Sequence, residues 1–176
     1  MFEEFYHGEH GAHGEDGVKL ATWAKSLKKI VTALAVVILA SLSAGASDKA
    51  DVTAVVHQWA ASFNAEDAKT GNSICAEDAV VIDDFPPHVW QGRDACAGWF
   101  RDYEAMAART GISSGKITVG EARQVDVESG YAYLVAPVTL SFNRRGKVIT
   151  DKGVLTMALH KGEAGWRITG WTWADQ

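Results

Sequence analysis

Apolar positions change period along the chain, and the change divides it into a helical part and a strand part. Val52, Val55, Val56, Trp59, Ala60 and Phe63 recur at three- and four-residue steps, the spacing of an amphipathic helix opened by Asp51 as N-cap and lasting to about Glu66. Ala68 to Cys75 reads as a short second helix of poor propensity, with Gly71, Asn72 and Ser73 at its centre. A strand follows from Ala79 to Asp84, built on Val80, Val81 and Ile82 and stopped by Pro86 and Pro87. Gly92, Arg93 and Asp94 start a third helix with Cys96, Trp99, Phe100, Tyr103 and Ala107 as one stripe, ending at Thr110 and Gly111. Beyond it the period falls to two. Strands are expected over Lys116–Val127, Tyr131–Phe142, Lys147–His160 and Trp166–Trp173, separated by Gly-containing turns.

Three helices and one early strand before four tightly connected strands predict an α+β fold. The expected form is a cone-shaped barrel: a strongly curved antiparallel sheet, with the three N-terminal helices packed on its concave face. Its open end holds a cavity, and the early strand contributes Asp83 to the wall.

Residues 1–46 do not share this pattern. Lys25, Lys28 and Lys29 precede an apolar run from Ile30, which gives way to small residues ending Ser43-Ala44-Gly45-Ala46. That order is a secretory signal peptide over residues 25–46, cleaved after Ala46. The apolar run is short of the roughly 20 residues that span a bilayer. Residues 1–24, with His7, His10 and His13 among Gly and Glu, read as a disordered extension or a start site placed too early, with Val18 as an alternative initiator. Residues 47–176 then form one exported domain, periplasmic or secreted, with no membrane association once the signal is removed. This part carries 13 Lys and Arg against 17 Asp and Glu, so nothing in it attracts nucleic acid. Cys75 and Cys96 enter an oxidising compartment and either pair or serve as small buried hydrophobes; the sequence leaves both open.

The candidate chemistry sits at the end of the early strand. Alternation puts Val81 and Asp83 on one face and Ile82 and Asp84 on the other, so only one of the two acids can enter a cavity. A carboxylate beside a buried strand is desolvated, which raises its pKa toward the range of a general base. The competing reading is that both acids cap the Pro-Pro turn. His88, past that turn, could act as a second proton carrier or be an ordinary solvated loop histidine. Trp90 stands in the same wall. No His, Cys or carboxylate spacing indicates a metal site. Aromatic residues are dense, and a surplus beyond the core suits a cavity for a flat or apolar ligand. Trp171 and Trp173 share a strand face; were it the outer one, they would suit a homodimer contact.

Four strings carry a resemblance: VTAVVHQWAASFNAED from Val52, AEDAVVIDD from Ala76, WQGRDA from Trp90 and GWRITGWTW from Gly165. Together they resemble the nuclear transport factor 2-like superfamily, which includes ketosteroid isomerases and SnoaL-like polyketide cyclases. The resemblance implies that Asp83 stands where the isomerases hold their general base. It also implies that Trp59 replaces their enolate-stabilising Tyr, and that their second oxyanion donor falls near Gly153 or Val154, where no acid stands. A homodimer is likewise implied. The resulting expectation is an exported domain that binds a small hydrophobic molecule without a cofactor, lined by Trp59, Val81, Trp90, Tyr103, Val154 and Thr156. Asp83 would relay a proton with help from His88 in isomerase, cyclase or dehydratase chemistry. The alternative is a non-catalytic binding or dimeric assembly module on the same fold.

Overall fold

The computed structural model describes residues 46–176, so the expected extension and signal peptide over residues 1–46 lie, but for Ala46, outside the described residues. Helix α1 occupies residues 46–64. Asp51 therefore lies inside the helix and is not its cap; Ala46, Lys49 and Ala50 are good helix formers and carry the helix past it. Helix α2 spans Ala68–Ser73 and is capped by Asp67, whose carboxylate accepts from the Thr70 amide at 3.0 Å. Gly71 is required there. A β-carbon at that position would stand 2.3 Å from the ring of Phe100, so α2 lies flat against helix α3, Ala95–Thr110. Gly111 ends α3 in the left-handed conformation, its N–H bonded to the Ala107 carbonyl.

The strands are β1 Cys75–Ile82, β2 Val89–Gln91, β3 Ile112–Val119, β4 Gln124–Glu128, β5 Tyr131–Arg144, β6 Lys147–Gly162 and β7 Gly165–Asp175. They form one curled, unclosed sheet in the order β2-β1-β7-β6-β5-β3, with β4 also on β5. Most pairs are antiparallel as expected, but β1 lies parallel to β7, which brings Ile82 beside Thr172. The single strand expected over Lys116–Val127 is two strands on the same edge of β5. Between them the Gly120 N–H bonds to the Pro137 carbonyl at 2.9 Å, and a β-carbon on Gly120 would meet the Pro137 ring. The chain bends around that ring before rejoining the edge.

Alternation decides which residues face the helices. On β5 and β6, Leu134, Ala136, Leu155, Met157 and Leu159 point inward and are essentially unexposed. Val52, Val56 and Trp59 of α1 pack into the same core. Asn64, at the end of α1, exchanges two hydrogen bonds with the backbone of Ile117, fixing helix to sheet at 2.7 and 2.8 Å. Cys75 and Cys96 are joined as a disulfide, tying the start of β1 to the first turn of α3. Among the described residues no helix is long and apolar enough to cross a membrane.

Candidate active site

Past Ile82 the chain turns back on itself, and the turn is held by its own backbone: the Asp83 N–H bonds to the His88 carbonyl and the His88 N–H to the Phe85 carbonyl. Its first residue faces inward. One Asp83 carboxylate oxygen, Oδ2, accepts from Trp99 Nε1 at 2.7 Å, and the other, Oδ1, accepts from the Asp84 amide at 2.8 Å. Burial pushes the Asp83 pKa up to about 6, against the opposing pull of those two hydrogen bonds; the charge of Asp84 adds to the rise. The group is therefore a base near neutrality and an acid just below it.

Asp83 lines a cavity of about 260 Å³ between the helices and the curled sheet. Trp59, Trp99, Tyr103, Trp171 and Trp173 supply much of its wall. Trp99 is stacked on Tyr103 with ring centroids 5.5 Å apart and meets Trp171 edge-on at 4.7 Å. The Tyr103 phenol, half-buried and near the Asp83 charge, is pushed up to about 12, so it stays protonated at any physiological pH. Its hydroxyl is buried without a hydrogen-bond partner, as is the Trp171 Nε1–H. The Trp173 ring lies over Gly153 and would stand 2.7 Å from a β-carbon there. At the position where the resemblance places a second oxyanion donor, the available space is filled by an indole.

Of the expected site residues, the fold brings Trp59, Asp83 and Tyr103 together at this cavity. The others lie elsewhere. Val81 is fully buried in the core behind it. Trp90 is buried against Phe85 and donates from Nε1 to Asp102 at 2.8 Å, so it braces the turn and does not line the cavity. Val154 and Thr156 are corrected by the pleat: Leu155 points inward, so its neighbours on either side sit on the outer face of β6. His88 is exposed with a positive φ of 73°, and its Nδ1 lies 3.1 Å from the Asp83 carbonyl, directed at its own turn. Trp171 and Trp173 are on the inner face, so they line the cavity and are not available on the outside.

Trp99 is the partner that sequence reasoning passed over. It appeared only as one member of the α3 stripe, and periodicity cannot separate a ring that fills core from one whose N–H holds a carboxylate. Rim residues were missed for the same reason: Arg144, Asp151 and Asp175 arrive from three strands. Among the described residues no group of three His, Cys, Asp or Glu is placed to hold a metal ion. What remains is a desolvated carboxylate in an aromatic hollow, an arrangement suited to taking a proton from a bound organic molecule and returning it.

The fold has solved relatives. An NTF2-like protein with a cystatin-like fold from Novosphingobium aromaticivorans superposes with a TM-score of 0.65 at 18% identity, covering 78% of this chain and 87% of that one. An NTF2-like superfamily protein from Salmonella enterica gives a TM-score of 0.63 at 18% identity over 74% and 92%. A ketosteroid isomerase-like protein from Erwinia carotovora gives 0.57 at 16% over 72% and 94%. At such identities the likeness establishes the fold and nothing finer. No curated protein matches the chain. The SnoaL-like domain family matches residues 52–172, the greater part of the sequence, so the chain belongs to the SnoaL-like family, with the fold of its NTF2-like neighbours.

Proposed function

We propose that the domain binds a small, largely apolar organic molecule in its aromatic cavity and moves a proton on it with Asp83, in cofactor-free isomerase, cyclase or dehydratase chemistry. The observation that carries this reading is the Asp83 carboxylate itself, held by Trp99 inside the hollow and lifted by burial to about 6. Tyr103 and Trp59 hold the ligand, and Trp99 orients the base. His88, turned away from the cavity, has no part in the step. The ketosteroid isomerase-like neighbour supports a proton-transfer chemistry by analogy of fold only.

The test is solvent exchange. 2-Tetralone, a flat ketone with acidic C–H groups, is incubated with the full chain in deuterium oxide and followed by NMR. Exchange above background should rise with pH to a plateau above about 6, and Asp83→Asn should lower it by about 10²–10⁴. Equal rates for the two proteins would reduce the cavity to a binding site or scaffold.

Export and dimerisation belong to the same proposal. The basic, apolar and small-residue order of residues 25–46 supports export, and the Cys75–Cys96 disulfide suits an oxidising compartment. Mass spectrometry of the native N-terminus decides it: a chain retaining residues 1–46 defeats cleavage. The outer face of β5 and β6, where Tyr133, Val154 and Thr156 are only partly covered, supports a homodimer, which light scattering would reveal or exclude.

A further inference from the structure

The walls of the cavity differ in sign from what a neutral ligand needs. Five charged side chains line it: Asp83 and Asp84 from the turn after β1, Asp151 from β6 and Asp175 from β7, against Arg144 alone from β5. Among the described residues those four acids form no ion pair. The ion pairs among the described residues join Arg93 to Glu77, Arg101 to Asp102 and Lys161 to Asp48, none of them at the cavity. Asp83 and Asp175 instead accept indole N–H groups, from Trp99 at 2.7 Å and from Trp173 at 2.8 Å. Those bonds orient the carboxylates and leave their charge uncompensated.

Four of the chain's seven tryptophans, Trp59, Trp99, Trp171 and Trp173, line the same space. An indole face is the most electron-rich surface a protein offers, and it attracts a cation that has shed its water. A cavity lined by indoles and by four carboxylates against one guanidinium disfavours an anion and favours a cation over a neutral molecule of the same shape. Trp171, 4% exposed, also keeps an Nε1–H buried without a hydrogen-bond partner.

Resting on the binding reading above, we infer that the ligand carries a cationic nitrogen on its apolar body, an organic ammonium whose charge sits between the tryptophan faces and the acids of Asp83, Asp84, Asp151 and Asp175. The apolar part takes the aromatic hollow, and the ammonium supplies the countercharge that the fold does not. Arg144, the one cation among the described lining residues, repels the ammonium and leaves it to the acids.

The test uses two probes of the same shape. Phenyltrimethylammonium and its neutral isostere tert-butylbenzene are titrated into the full chain, following intrinsic tryptophan fluorescence, with benzenesulfonate as the anionic control. The cation should bind about tenfold or more tightly than the neutral probe, and benzenesulfonate least of all. Raising the salt to about 1 M should shrink that preference, because exposed rim charges are screened. The triple variant Asp84→Asn, Asp151→Asn, Asp175→Asn changes only exposed positions and should narrow the gap between cation and neutral probe several-fold, Asp83 and the indoles keeping the remainder. Equal affinities in the unaltered chain, or tighter binding of the sulfonate, overturn the inference while the apolar cavity stands. Saturable binding of none of the three overturns both.

Discussion

The two ends of the hollow side of the sheet are built from different residues and hold different things. At one end Leu134, Leu155, Leu159 and Ile168 pack with Val52 and Val56, all at 0–1% exposure. Short branched side chains of this kind interdigitate to interior density. At the other end the wall is made of rings. Trp99 meets Trp171 at 83° and Trp59 meets Trp171 at 60°, the edge-to-face arrangement that aromatic rings prefer. About 260 Å³ is left between them. The carboxylates are gathered at this end only, where Asp83 is dry enough to titrate near 6. Chemistry is possible at the aromatic end because a carboxylate there borders an open hollow.

Two leucines test the contrast with the same substitution. Leu159, 1% exposed and paired across the sheet with Ala132 and Ile168, should lose about 4 kcal/mol of unfolding free energy as Leu159→Ala in urea titrations, since a tight site cannot collapse around the void. The smallest effect is expected at Leu140, which is half-buried and already borders the hollow: about 1 kcal/mol for Leu140→Ala. Similar losses at both would mean that the aromatic end is as solid as the other.

Between them in size lies a substitution that stabilises. Burial lifts the folded-state pKa of Asp83 above that of the unfolded chain, so its contribution to stability is fully present below about pH 4 and is lost as pH rises through about 6. Asparagine has no charge to bury and can still accept from Trp99. Asp83→Asn should therefore match the unaltered protein near pH 4 and exceed it by up to about 2 kcal/mol at pH 8, read from urea midpoints at both values. A variant that is weaker at pH 8 would mean that the carboxylate is well solvated and that its site is no hollow.

Much of this was legible in the linear pattern. The α3 stripe and its Gly111 stop appear where the spacing puts them, and the run of strands after Gly111 follows from period two and turn residues. Alternation separated Asp83 from Asp84 and the resemblance chose Asp83; Val81 on its face is fully buried while Ile82 stands half exposed. Val154 and Thr156 fall on the outer face, because a period of two defines two faces without saying which one the helices cover. His88 is misplaced for another reason: its proximity to Asp83 in the chain is spent on a turn that points it away. The parallel pairing of β1 with β7 and the break at Gly120 depend on neighbours far along the chain, Thr172 in one case and Pro137 in the other.

By itself, then, the order of residues determined the three helices, the run of strands after Gly111 and the opposite facing of Asp83 and Asp84, since each depends on contacts within a few residues. The tertiary structure alone decided that Trp99 holds that carboxylate, that the indoles leave a hollow, and that Asp84, Asp151, Asp175 and Arg144 ring it. Those facts arise where α3 and the ends of separate strands converge, and no local rule of spacing specifies how a curled sheet brings its strand ends together.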